Sequence, residues 1–297
     1  MAIKSVQFTL NGETYALSLD SSTGKYQKTI TAPSTSSYAQ TDHVYPMVLE
    51  VQDVAGNTVT IDSDDSTYGE QMKLRVKETT APVISVTSPG ADAYLTNSTL
   101  SLSIDVTDSG SGVLASSITA ELDETSVSLT KTAITNGYRC TYSGTVADGK
   151  HTLVVNAQDN DGNDATDKTV SFTVDTVPPT LDISSPAASL ITNKQACTVS
   201  GTTNDATSGL AYVKIKLNGT DQGSVTVASD GSFSKDLALV SGDNTISVTA
   251  TDNAGKTTTI TRNVNYDPDA PVIVSIDVSE STVNAGEEFT IIVVATD

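Results

Sequence analysis

Ala250-Thr251-Asp252-Asn253-Ala254-Gly255-Lys256 reads as the end of a β-strand running into a tight turn. Asp and Asn close the strand with side-chain hydrogen bonds to the backbone, and Gly supplies the left-handed conformation that the turn needs. The same sentence occurs as Val51-Gln52-Asp53-Val54-Ala55-Gly56-Asn57 and as Ala157-Gln158-Asp159-Asn160-Asp161-Gly162-Asn163, with aspartates 106 and then 93 residues apart. Each copy leads into another alternating stretch and then a proline linker, at Ala81-Pro82, Pro178-Pro179 and Ala270-Pro271, separated by 97 and 92 residues. Thr96-Asn97 recurs as Thr192-Asn193, and Asp108 to Gly112 as Asp205 to Gly209. Between these markers apolar residues alternate with period two, and no long run carries the i, i+3, i+4 spacing of an amphipathic helix. The chain is therefore all-β.

A period near 95 residues with about seven short strands is the size of one immunoglobulin-like β-sandwich. The fold expected is a tandem of such sandwiches, two complete domains flanked by two incomplete ones. In the second repeat the strands A to G fall near 83–87, 99–107, 117–123, 126–132, 137–145, 151–159 and 168–175. In the third they fall near 180–184, 196–204, 211–217, 223–229, 232–238, 244–252 and 257–266. Alternation turns Leu100, Leu102, Ile104 and Val106 of strand B inward, matched by Cys197, Val199, Gly201 and Thr203. The expected boundaries are 1–79 for strands C to G alone, 80–176 and 177–268 for complete domains, and 269–297 for strands A and B alone.

The two outer segments align with the third repeat in complementary pieces. Asn11-Gly12 matches Asn218-Gly219 and Gly24-Lys25-Tyr26 matches Gly231-Ser232-Phe233, which sets Met1 over Ser208 and Val6, Phe8 and Leu10 over strand C. Phe289 to Asp297 match Cys197 to Asp205, the whole of strand B. The expectation is donor-strand complementation: Val272, Val274, Ile276, Phe289, Ile291, Val293 and Ala295 of one copy cover the core of Val6, Phe8 and Leu10 in another. Head and tail differ, so the contact is heterologous and propagates as a head-to-tail polymer. The other reading of the same residues is a monomeric rod, an adhesin or virion decoration protein binding host surface glycans or proteins.

The Asp-x-Ala-Gly-Asn/Lys turn, the Ala-Pro or Pro-Pro linker and the Ser-Pro…Thr-Asn approach to strand B resemble bacterial Ig-like repeats. The resemblance covers nearly the whole chain, and it implies a surface adhesin or a prophage-encoded tail or virion-associated protein. Ile3 to Tyr15 resembles the phage-encoded kind most. Repeats of this family serve as spacers and binding platforms, so the localisation implied is extracellular or virion-associated.

Charge and motif narrow the rest. A formal charge of −20 repels a phosphate backbone, so nucleic acid is not an expected partner. No stretch of 18 or more apolar residues occurs, so no membrane-inserted helix is expected. Met1 to Phe8 lacks the apolar run of a signal peptide and reads as a strand. Cys140 and Cys197 fall in different repeats and read as free, buried thiols. The only histidines, His43 and His151, neighbour no nucleophile motif, so no enzyme and no organic cofactor are expected. Calcium is the cofactor that composition allows: Asp159, Asp161 and Asp164 cluster in one turn, Asp62, Asp64, Asp65 and Glu70 in the first segment, and Asp267 and Asp269 flank a linker. The spacing departs from the helical calcium loop, since Gly162 stands at position four and Val170 at twelve, and Asp favours such turns without a metal. Residues 34–46, with Tyr38, His43 and Tyr45, form an insertion that either offers a ligand surface or covers the incomplete first domain.

Overall fold

Alternating sequence becomes paired strands through the turns that close it. Asn11 and Gly12 have φ of 50° and 82°, and Asn218 and Gly219 have 50° and 81°. Two successive left-handed residues make the turn whose twist matches a β-hairpin, which is why Asn-Gly stands at both places. The computed structural model describes residues 2–297. Met1, aligned above with Ser208, lies outside the described residues. Strand makes up 55% of the chain and helix 3%. The chain divides into two compact units: Met1–Ala93 with Thr99–Val146 and Lys150–Phe172, and Tyr94–Ser98 with Ala147–Gly149 and Thr173–Asp297.

In the first unit, β1 (Ile3–Leu10), β2 (Glu13–Ala16), β5 (Tyr45–Asp53), β6 (Thr58–Ile61) and β7 (Lys73–Leu74) form one sheet in the order β2-β1-β5-β6, with β7 also on β5. A separate two-stranded sheet holds β3 (Ser18–Asp20) and β4 (Lys25–Gln27). Val6 and Leu10 of β1 are buried, while Phe8 is only half-buried. The insertion closes over part of the β1 sheet: Ser36, Ser37, Val44 and Tyr45 are buried, and the Ser37 N–H donates to the Val76 carbonyl at 2.8 Å.

The next strands are β8 (Val83–Ser88), β9 (Ala93–Leu95), β10 (Thr99–Thr107), β11 (Thr119–Leu122), β12 (Thr125–Ser126), β13 (Thr130–Ile134), β14 (Gly137–Thr145), β15 (Gly149–Asn156) and β16 (Lys168–Val174). They build two sheets, β13-β14-β10-β8 and β12-β11-β15-β16-β9. Leu100, Leu102, Ile104 and Val106, the inward set read from alternation, are all buried, as is Cys140. The stretch expected as one strand over 126–132 is instead two, because β12 pairs with β11 and β13 pairs with β14 in the other sheet.

The second unit repeats the plan with β17 (Thr180–Ser185), β18 (Leu190–Thr192), β19 (Ala196–Asn204), β20 (Leu210–Leu217), β21 (Thr220–Val225), β22 (Ser232–Ala238), β23 (Gly242–Asp252) and β24 (Thr257–Tyr266). Its sheets run β17-β19-β22 and β18-β24-β23-β20-β21, with β18 parallel to β24. Cys197, Val199 and Thr203 of β19 are buried with Ile215, Phe233, Ile246 and Val248. Gly201 has a steric role here, since a Cβ at that position would lie 2.0 Å from the Asp182 carbonyl oxygen and 2.9 Å from Phe233 Cζ. Gly201→Ala is expected to lower stability by about 1–3 kcal/mol through overpacking, read by chemical denaturation. An unchanged midpoint would contradict that packing.

β25 (Val272–Val278) and β26 (Ile291–Thr296) form a two-stranded antiparallel hairpin. Its first two pairs, Val272 with Thr296 and Ile273 with Ala295, occupy the same repeat positions as Thr180 with Asn204 and Leu181 with Thr203. They also match Val83 with Thr107 and Ile84 with Val106. Beyond them the register shifts by one residue between Ile273 and Ser275, two positions earlier than the shift between Ile183 and Ser185, so the hairpin is an A–B pair that keeps the repeats' register over its first two pairs.

Candidate functional site

In a complete sandwich the A–B pair is covered by the opposite sheet and its B strand is flanked by E. β19 pairs with β22, Val199 opposite Lys235 and Gly201 opposite Phe233. β26 pairs only with β25 among the described residues. Phe289, Ile291 and Val293 stand at the repeat positions of Cys197, Val199 and Gly201, yet they are 50%, 57% and 52% exposed. Val272, Val274 and Ile276 are likewise exposed, as is Ala295. So are Ile292 and Val294 on the other face. This apolar hairpin presents an open strand edge and two uncovered faces.

The first sheet has the reciprocal character. Its β1–β5 register, Val6 with Val51 and Leu10 with Met47, reproduces Val213 with Ala250 and Leu217 with Ile246, so this sheet is the C–F half of a sandwich. β4 stands where β22 stands in the second unit, and among the described residues it pairs only with β3. Tyr26 at the position of Phe233 is half-buried, whereas Phe233 is buried.

Two groups of three carboxylates form a second kind of site. Glu78, Asp108 and Asp159 offer oxygens within 4.8 Å of one another, and so do Asp175, Asp205 and Asp252. Repeat position assigns each member the same place: four residues before the linker proline, at the end of strand B, and at the end of strand F. In the first group the Glu78 Oε1 accepts from the Ser111 N–H, Asp108 Oδ2 accepts from the Gly112 N–H at 2.6 Å, and Asp159 accepts from the Asn163 N–H and side-chain amide at 2.8 and 2.6 Å. In the second, Asp175 accepts from the Val177 and Ser208 N–H groups at 3.1 and 3.2 Å. Asp205 Oδ1 accepts from Thr207, Ser208 and Gly209 N–H groups between 2.8 and 3.1 Å, and Asp252 Oδ1 from the Lys256 N–H at 2.8 Å. Asp175 and Asp252 are 0% and 1% exposed, and Asp252 Oδ2 has no hydrogen-bond partner. Like charges this close repel by about 3 kcal/mol per pair at an effective dielectric near 20.

The remaining sequence candidates sit elsewhere. Asp159 is joined to Glu78 and Asp108, while Asp161 Oδ2 accepts from the Glu78 N–H at 3.0 Å and Asp164 Oδ1 from Gln158 Nε2 at 3.0 Å. Asp267 Oδ1 accepts from the Asp269 N–H at 3.0 Å, a local turn contact. Asp62 and Asp65 accept from backbone N–H groups of their own turns, and Glu70 pairs with Lys73 at 2.5 Å. Asp53, the first-segment equivalent of Asp159, is held below the usual carboxylate range by the Asn57 side-chain amide and then its backbone N–H. His151 Nδ1 lies 2.7 Å from Asp123 Oδ2 with its ring against Phe172, and His43 stacks on Tyr38. Among the described residues no helix is long and apolar enough to cross a membrane.

Sandwiches repeated along one chain, with open A–B and C–F halves, define a class of repeat protein. Residues 85–176 match the bacterial Ig-like domain family, and residues 179–267 match domain B of glucodextranase. Residues 85–176 thus form a bacterial Ig-like domain, within a chain of tandem Ig-like β-sandwiches. The chain is 33% identical over 140 residues to Bacillopeptidase F of Bacillus subtilis (strain 168), a match that spans 47% of this chain and 9% of that protein. Among solved structures it is similar to fibronectin(III)-like modules of Clostridium thermocellum CbhA, at 20% identity over 62% of this chain and 94% of that one, with a TM-score of 0.40. It is also similar to a tetra-tandem repeat from the extending region of a large adhesion protein, at 19% identity over 98% and 79%, with a TM-score of 0.35.

Proposed function

We propose that this protein is a structural subunit of an extracellular or virion-associated filament, in which the β25–β26 hairpin of one copy pairs with β4 of another and covers that copy's first sheet. The observation that carries the reading is an A–B pair, aligned with the complete repeats over its first two pairs, with its core-facing residues half exposed and its outer edge open. Large apolar side chains contribute about 1.5–3 kcal/mol each when buried, and an unpaired edge adds backbone hydrogen bonds. A second copy fits because its β4 edge is open and its C–F sheet keeps the register of a complete sandwich. Repeat positions fix the expected pairing: Val293 opposite Tyr26, Ile292 opposite Gln27, Ile291 opposite Lys28. No chemistry is assigned to the molecule, whose role in this reading is structural. Sedimentation velocity over a concentration series tests it. Species growing with concentration are expected, and a single monomeric species throughout favours the adhesin-like rod.

A further inference from the structure

We infer that the cleft between the insertion at 34–46 and the segment following β7 binds a sugar residue carrying a carboxylate, with Arg75 as its anion contact. The inference stands apart from the assembly reading. Glu78 and Asp175 hold the same place before their linker prolines, so Lys73, Arg75 and Lys77 stand at the positions of Val170, Phe172 and Val174. Those three are buried in the complete domain. The first segment thus sets a row of three cations where that repeat buries apolar side chains, in a chain of charge −20. The outer two are committed: Lys73 pairs with Glu70 at 2.5 Å, and Lys77 Nζ donates to the Asp161 carbonyl at 2.9 Å. Arg75, between them, makes no hydrogen bond or ion pair among the described residues. It lines a cleft of about 150 Å³ with Tyr38 and His43 of the insertion and with Asn160 and Asp161, all within the first compact unit. A cavity of that size holds one six-membered ring.

Hydrogen bonds fix the walls of the cleft and leave its lining groups free. Buried Ser37 donates its N–H to the Val76 carbonyl at 2.8 Å, accepts from the Val76 N–H at 3.1 Å and donates its hydroxyl to the His43 carbonyl at 2.8 Å. The Glu78 N–H donates to Asp161 Oδ2 at 3.0 Å. Asp42 and His43 take left-handed φ of 52° and 57°, costly for residues other than glycine, and the His43 ring stacks on Tyr38 with centroids 4.2 Å apart. His43 Nδ1 donates to the Tyr38 carbonyl, which leaves Nε2 uncommitted. The Tyr38 hydroxyl and Asn160 Oδ1 are also without a partner among the described residues. Covering the first sheet does not account for this pair, since Ser36, Ser37, Val44 and Tyr45 are the buried residues of the insertion and His43 is exposed. A guanidinium takes a carboxylate through two parallel hydrogen bonds. The aromatic pair offers a flat, electron-rich face to the C–H groups of a sugar ring, and Asn160 and Asp161 can accept from its hydroxyls.

The test is titration of the full chain with glucuronate, followed by ligand-observed NMR, with glucose as the uncharged ring and acetate as the anion without a ring. The parent is compared with Arg75→Gln and with Lys194→Gln, a cation of the second unit. Both residues are exposed, so neither change threatens the fold. Saturable binding of glucuronate with a Kd of about 1 mM is expected for the parent and for Lys194→Gln. Arg75→Gln should weaken it about 10–100-fold, the effect of a lost charge-assisted hydrogen bond. Glucose and acetate should each bind the parent at least about tenfold more weakly than glucuronate. Four results would overturn the proposal: no saturable binding by the parent, binding unchanged in Arg75→Gln, an equal loss in Lys194→Gln, or glucose or acetate binding as tightly as glucuronate.

Discussion

Ile291→Asp combined with Val293→Asp is expected to leave a folded chain that no longer associates with itself. Both side chains are more than half exposed in one copy, so that copy loses little, within about 0.5 kcal/mol, when they become polar. In a completed sandwich they take the places of Val199 and Gly201, which are buried. Losing two burials of about 1.5–3 kcal/mol each weakens association by about 10²–10⁴-fold, and desolvating two carboxylates adds to the loss. Sedimentation velocity reads the effect. Undiminished association of the double variant would remove β26 from the interface.

Phe172→Ala carries the largest expected loss of stability, about 3–5 kcal/mol. Phe172 is 1% exposed in β16, and its ring centroid lies 5.4 Å from that of His151, which in turn meets Asp123. The chain has four Phe and no Trp, so its cores are built from small aliphatic residues. Short, β-branched neighbours such as Val155 have little reach to refill the space of a lost ring. Chemical denaturation followed by circular dichroism should show one transition shifted and the others unmoved. A shift below about 1 kcal/mol would mean that the site collapses.

Strong alternation made most strands legible. Thr99–Thr107, Gly137–Thr145, Ala196–Asn204, Ser232–Ala238 and Thr257–Tyr266 coincide with the stretches read from period two, because one face of each is buried and a slip would turn it outward. β9 and β18 left no such signal. Three residues hold too little alternation, and β18 is defined by where the chain crosses to run parallel with β24. The break between β12 and β13 was hidden for the same reason, since a strand that changes sheets keeps its alternation while its partner changes.

The carboxylate groups were half legible. Asp53, Asp159 and Asp252 were the repeated marker itself, and the Asp108 and Asp205 loops recurred beside it. Reading acids by their neighbours in sequence put Asp159 with Asp161 and Asp164. The fold instead puts it with Glu78 and Asp108, residues 81 and 51 positions away, because turns from separate strands converge at one end of the sandwich. Comparing acids by repeat position, with the residue four before each linker proline included, would have found both groups.

Mixing two single-cysteine proteins tests the assembly most directly. Gln27 lies in β4 and Ile292 in β26, both side chains are exposed, and in the completed sandwich they stand at the paired positions of Ser234 and Ser200. Cross-strand neighbours fall within disulfide reach. The native Cys140 and Cys197 are buried, and burial pushes both thiols up, which keeps them out of the reaction. Under mild oxidation, Gln27→Cys mixed with Ile292→Cys should give a disulfide-linked dimer that neither protein gives alone. Absence of that mixed dimer, or a crosslink that forms only inside a single chain carrying both cysteines, would contradict donation of the hairpin from copy to copy.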